Sequence, residues 1–83
     1  MAAKKVKLKV GAILDSTNGA NSYTVIEVGT GKGYLHPPTG VEMPIGTVLE
    51  NSAGTILVHE WDPENERPAW SSYSSEDYYG DSE

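Results

Sequence analysis

The sequence predicts an all-β fold, a small five- to six-stranded barrel or sandwich with extended N- and C-terminal arms. Three observations carry this expectation. Short runs rich in β-branched and aromatic residues recur at spacings of about 8–12 residues. Glycine, proline and asparagine cluster between them, where turns need special backbone angles. No window repeats its apolar residues with the period of about 3.6 that marks an amphipathic helix.

Each element follows in chain order. Val6-Lys7-Leu8-Lys9-Val10 alternates apolar and polar residues, the pattern of a strand with one buried face. Asn18-Gly19 is a strong hairpin signal. It separates residues 10–15 from Ser22-Tyr23-Thr24-Val25-Ile26-Glu27-Val28, a run suited to a strand. Thr30-Gly31-Lys32-Gly33 turns the chain into a short strand over 34–36. Pro37-Pro38-Thr39-Gly40 ends that strand, because proline lacks the ladder donor. In Met43-Pro44-Ile45-Gly46, proline occupies the second place of a type I turn and glycine closes it. Residues 47–50 and 55–61 flank Asn51-Ser52-Ala53-Gly54, a hairpin loop. The expected core is Val6, Leu8, Val10, Ile13, Tyr23, Val25, Leu35, Val48, Ile56, Val58 and Trp61. The expected division is a basic arm over 1–5, a β domain over 6–61 and an acidic aromatic arm over 62–83.

With 83 residues the chain makes one domain at most. A domain of this size buries only about 60% of its unfolded surface, so association is a reasonable route to stability. The absence of cysteine excludes disulfides, zinc fingers and thiol catalysis. No apolar run suggests a signal peptide or membrane span, so a soluble protein made in the cytoplasm is expected. The net charge of −6 is unevenly placed. Up to Trp61 five acids balance five lysines; from Asp62 onward seven acids face Arg67 alone.

Patterns that resemble catalytic sites fail on inspection. Gly29-Thr30-Gly31-Lys32-Gly33 lacks the first glycine of a phosphate loop, where Ile26 stands, and the hydroxyl after its lysine, where Gly33 stands. It reads as a turn whose glycines supply positive φ. His36 and His59 are the only histidines, and nothing fixes them with Glu60 or Asp62 as a metal set. Both are expected at the surface. No G-x-S-x-G elbow is present. The chain reads as non-enzymatic, with no cofactor and no metal. Lys7 and Lys9 share a strand face, but the acidic tail opposes a duplex and no aromatic platform interleaves them. Direct nucleic-acid binding is therefore not expected.

The tail holds the most informative residues. After Val58 there is no Leu, Ile or Val, a composition too poor in aliphatics to fold alone. Yet Trp61, Trp70, Tyr73, Tyr78 and Tyr79 supply far more aromatic surface than a solubilising tail needs, and such side chains anchor interfaces. Asp62-Pro63 and Arg67-Pro68 suit an extended arm. The expected partner-binding residues are these five aromatics, with Glu76 and Asp77 setting orientation and Lys7 and Lys9 at the opposite end of the charge distribution.

Met43-Pro44-Ile45-Gly46-Thr47-Val48-Leu49, followed by the turn at Gly54 and a further strand, resembles a segment of tailed-phage head decoration proteins. The likeness covers about a dozen residues. It implies a compact β domain, usually trimeric, seated on a capsid lattice with terminal arms reaching neighbouring subunits. The acidic tyrosine-rich C-terminus departs from that pattern. The resulting expectation is a structural accessory protein, a capsid decoration or cement protein on the virion surface, with capsid subunits as partners. The alternative is a small acidic inhibitor in the cytoplasm that occupies a basic, nucleic-acid-binding site on a host enzyme. A peptide-binding barrel of the SH3 type would need an aromatic groove on its own strands, and none is expected.

Overall fold

The structure is a computed structural model and describes residues 8–80. Among them seven strands follow in order: β1 (Ile13–Asp15), β2 (Ser22–Glu27), β3 (Gly33–His36), β4 (Val41–Pro44), β5 (Val48–Asn51), β6 (Ile56–Asp62) and β7 (Arg67–Tyr73). One short helix, α1 (Ser75–Tyr79), comes last. The strands form two antiparallel sheets, a five-stranded one in the order β1-β2-β5-β6-β7 and the β3–β4 hairpin. The fold is all-β, as expected. Among the described residues the larger sheet is open, ending at β1 and β7, so of the expected barrel or sandwich there is no closed barrel but two antiparallel sheets.

The turns explain the register. The loop after β1 closes through Ser16 N–H to Asn21 O at 2.9 Å, while the Asn18 side chain accepts from Ala20 N at 2.9 Å. This is the hairpin that Asn18-Gly19 announced. The next proline turn begins one residue later than expected. Thr47 N donates to Pro44 O at 3.2 Å, and Gly46 takes φ +100° at the third place, a type II pattern that requires positive φ there. Met43 and Pro44 are thereby released into β4, a strand the sequence reading missed. The Gly29–Gly33 loop is indeed a connection, but for another reason than positive φ. Gly31 N donates to Ile45 O at 3.0 Å and Gly29 N to Thr47 Oγ1 at 3.1 Å, and a Cβ on Gly29 would overlap the Ile45–Thr47 backbone. Close approach, not left-handed geometry, demands glycine at position 29.

The core lies between the layers. Tyr23 and Val25 of β2, Val41 and Met43 of β4, and Leu49 of β5 form its buried cluster, with Leu8, Leu14, Leu57 and Trp70 packed against it. Of the expected core, Tyr23, Val25, Val48 and Ile56 are buried, and Leu8 and Val58 are half-buried. Val6 lies outside the described residues. Val10, Ile13, Leu35 and Trp61 are exposed instead. Register explains Ile13 and Leu35. Leu14, not Ile13, pairs with Tyr23 and shares its face. In β3 the rings of Tyr34 and His36 turn to the large sheet, which sends Leu35 outward. A slip of one residue moves a side chain to the opposite face. Trp61 lies at the end of β6, where its ring stacks on Tyr34 at the border of the two layers. Val10 sits in a turn closed by Ala12 N to Lys9 O at 3.0 Å, so the described part of the expected first strand, Leu8-Lys9-Val10, is not extended in a sheet.

The acidic segment departs furthest from expectation. Asp62 accepts from Glu64 N at 3.1 Å and from Asn65 Nδ2 at 2.8 Å, winding residues 63–66 into a turn. The chain then returns as β7 and pairs with β6 over its whole length, from Asp62↔Arg67 to Ile56↔Tyr73. The expected boundary after Trp61 thus falls inside β6, and residues 67–73 are a sheet strand, not an extended arm. The physical reason is that a hairpin with seven residues in each strand supplies its own backbone partners, and cross-strand pairs stabilise it with few aliphatic side chains. Pro68 is accommodated because β7 is an edge strand.

Candidate functional site

Two side-chain clusters stand out, and the first is built on histidine. His59 of β6 and Trp70 of β7 are register partners, and their rings stack in parallel at 4.2 Å with an interplanar angle of 3°. His36 of β3 approaches the same indole at 4.8 Å, and Tyr23 of β2 meets His36 edge-on at 5.2 Å. Tyr34 extends the row, edge-on to His59 at 6.3 Å and stacked on Trp61 at 5.7 Å. One chain of rings therefore ties β2, β3, β6 and β7 together across the two layers.

The histidines were expected at the surface, yet His36 is 3% and His59 1% exposed. The correction follows from strand parity, which points both rings into the space between the sheets. Each is held by a polar neighbour: His36 Nδ1 pairs with Thr39 Oγ1 at 2.9 Å, and His59 Nδ1 lies 3.1 Å from Pro44 O. A carbonyl can only accept, so His59 Nδ1 carries the proton and Nε2 is bare. That Nε2 is buried and has no hydrogen-bond partner among the described residues. Burial lowers the His36 pKa to about 4, with the neighbouring His59 adding to the effect. Burial also lowers that of His59, partly offset by the carbonyls of Pro44 and Met43. Both rings are accordingly neutral at pH 7.

The row ends at the surface in Trp61, 44% exposed, and half-buried Tyr34, with Lys32 Nζ 5.7 Å from the Tyr34 ring centre. Trp61, one of the aromatics expected to bind a partner, and Tyr34 thus place some aromatic surface on β6 and β3.

The second cluster lies at the end of β7. Ser74 caps α1 by accepting from Asp77 N at 3.0 Å. The short helix brings Tyr78 back to Tyr73 at 6.4 Å and sets Tyr79 edge-on to Tyr78 at 5.1 Å. Glu76 and Asp77 lie exposed in its first turn, where carboxylates suit the helix dipole.

The structure brings together Tyr73, Tyr78, Tyr79, Glu76 and Asp77 of the residues expected to bind a partner. It places Trp61 in the first cluster and half-buries Trp70 within it, so the Trp70 ring serves the intramolecular stack. Lys9 is exposed beside the first turn, and Lys7 lies outside the described residues. Tyr23, Tyr34, His36 and His59 were not anticipated as one group. The available signal was the turn: Asp-Pro-Glu-Asn read as a hairpin, counted outward from Asp62 and Arg67, pairs His59 with Trp70. No family model, characterised protein or solved structure matches the chain.

Proposed function

We propose that this protein is a non-enzymatic structural accessory that docks on a larger protein assembly, in the manner of a capsid decoration protein. The observation that carries the reading is the exposed tyrosine cluster set among acids at the β7–α1 end. Tyr73 is 40% and Tyr79 59% exposed, and Glu76 and Asp77 stand beside them. Large amphipathic rings supply binding energy at an interface, while rim carboxylates orient the approach. The resemblance of residues 43–49 to head decoration proteins points the same way and suggests capsid subunits as the partner.

Two measurements test this. The chain, tagged and captured from its native source, should bring down capsid subunits identified by mass spectrometry. A host enzyme without capsid protein refutes the reading and favours an acidic inhibitor. On purified shells the protein should bind at a fixed stoichiometry and raise their melting temperature. Tyr79→Ala should weaken that binding by about 2 kcal/mol. Glu76→Gln and Asp77→Asn together should cost less, since exposed ion pairs contribute about 0–1 kcal/mol each.

A further inference from the structure

The direction of the main-chain hydrogen bonds in β6 determines what the outer edge of β7 presents. His59 N–H donates to Thr47 O at 2.9 Å, and His59 O accepts from Gly46 N at 2.8 Å. Both main-chain groups of His59 therefore point toward β5. Main-chain direction alternates along an antiparallel strand, so those of Ile56, Val58 and Glu60 point toward β7. Their register partners Tyr73, Ser71 and Ala69 direct their own groups back to β6. This leaves Pro68, Trp70 and Ser72 facing outward, where the sheet of the described residues ends. Proline at position 68 has no N–H to leave unpaired there. Trp70 and Ser72 do, and between Ala69 and Tyr73 no charged side chain blunts the edge in the usual way. The opposite edge, β1, is only three residues long.

We propose that two copies of this chain pair their β7 strands antiparallel about a two-fold axis through Ser71. In that register Trp70 of one protomer exchanges both main-chain bonds with Ser72 of its partner, and symmetry repeats the pair. Ser74 then lies opposite Pro68. The Ser74 carbonyl already accepts from Tyr78 N at 2.9 Å, so it needs no donor from proline, while Ser74 N–H can reach the Pro68 carbonyl. An axis through Trp70 instead sets Pro68 against Ser72 and leaves the Ser72 carbonyl without its donor, which costs stability. Side chains favour the same register. Ser71 meets its own copy, and the exposed Tyr73 ring packs over Ala69 of the partner. Such an interface is isologous and closes on itself. The charge of −6 on each copy opposes pairing, so the dimer tightens as salt screens it.

Sedimentation equilibrium of the full chain over a concentration series tests the proposal. The expected result is a monomer–dimer equilibrium that shifts toward dimer with added salt. Ser72→Pro removes an outward N–H that the sheet does not use and should abolish the dimer with an unchanged circular dichroism spectrum. The chain has no cysteine, so Ser71→Cys adds a single thiol. Opposed residues in a non-hydrogen-bonded pair have Cα atoms about 4.5 Å apart, and mild oxidation should give a disulfide-linked dimer. Ala69→Cys should stay monomeric under the same treatment. A monomer at every concentration, a dimer indifferent to Ser72→Pro, or a Ser71→Cys chain that does not cross-link overturns the proposal. If Ser72→Pro fails to fold, the Ser71→Cys result decides alone.

Discussion

Glu66 holds φ +52° at the end of the β6–β7 turn, the one described non-glycine residue in left-handed geometry. The Asp62 carboxylate winds residues 63–65 tightly, and the last loop residue must reverse the chain to start β7. A side chain pays about 1–2 kcal/mol for that conformation. Glu66→Gly relieves it, although glycine returns part of the gain as unfolded-state entropy. The expected net effect is a stabilisation of about 0.5–1 kcal/mol, read as a higher urea midpoint at unchanged slope. A lower midpoint would mean that the Glu66 side chain makes contacts worth more than the strain. Residue-scale features of this kind were only partly legible. Gly19 and Gly54 could be read as turn formers because turn chemistry is local. The left-handed Glu66 could not, because its conformation is imposed by a hairpin that the composition of the tail obscured.

Among elements, β7 matters most, since it contributes Trp70 to the stack with His59 and His36. Trp70→Ala removes the indole between two buried imidazoles and opens a cavity there. Buried Phe or Trp truncations cost about 3–5 kcal/mol, and the half-buried Trp70 should cost about 2–3 kcal/mol. Thermal unfolding followed by circular dichroism checks this, and a change below that range would show that the stack relaxes to fill the gap. A chain ending at Asp62 should lose more, because β6 becomes an edge and His59 meets water. If it kept the full-length melting temperature, β7 would be an appendage and the stack dispensable. The strands that were legible, β2, β3, β5 and β6, carry β-branched or apolar residues between strong turn signals. β4 is hidden in the sequence because Pro44, a turn-forming residue, ends the strand itself. β7 was hidden because its sequence, Arg-Pro-Ala-Trp-Ser-Ser-Tyr, has no aliphatic alternation, and pairing with β6 defines it instead. Tyr73, Tyr78 and Tyr79 could be singled out by residue type, but not their grouping, which depends on the turn of α1 after β7. The histidine stack was not legible, since its members come from four strands whose order no local pattern states.

For the molecule as a whole, two neutral histidines sit where the layers join, and this makes the fold sensitive to acid. Both pKa values are lowered below the ordinary 6.5, that of His36 to about 4, chiefly by burial. The unfolded chain therefore binds protons first as pH falls through about 6.5, while the folded chain resists. Stability is fully present above that pH and declines progressively toward pH 4, where folded His36 begins to take its proton. Charging either ring would bury a cation between the layers, for His36 beside the second imidazole, and neither ring forms a salt bridge to a carboxylate among the described residues. Asp62 also has a lowered pKa, caused first by the Asn65 side chain, but its contribution is lost only below its ordinary 3.8, outside this window. Allowing for partial solvent screening, His36 alone should account for a loss on the order of 2 kcal/mol between pH 7 and pH 4. Denaturation midpoints measured at intervals across that range should fall steadily, and His36→Gln should flatten the slope even though it lowers the starting stability. Equal slopes for the two proteins would show that His36 changes its protonation as readily folded as unfolded, and that the layers do not depend on its neutrality.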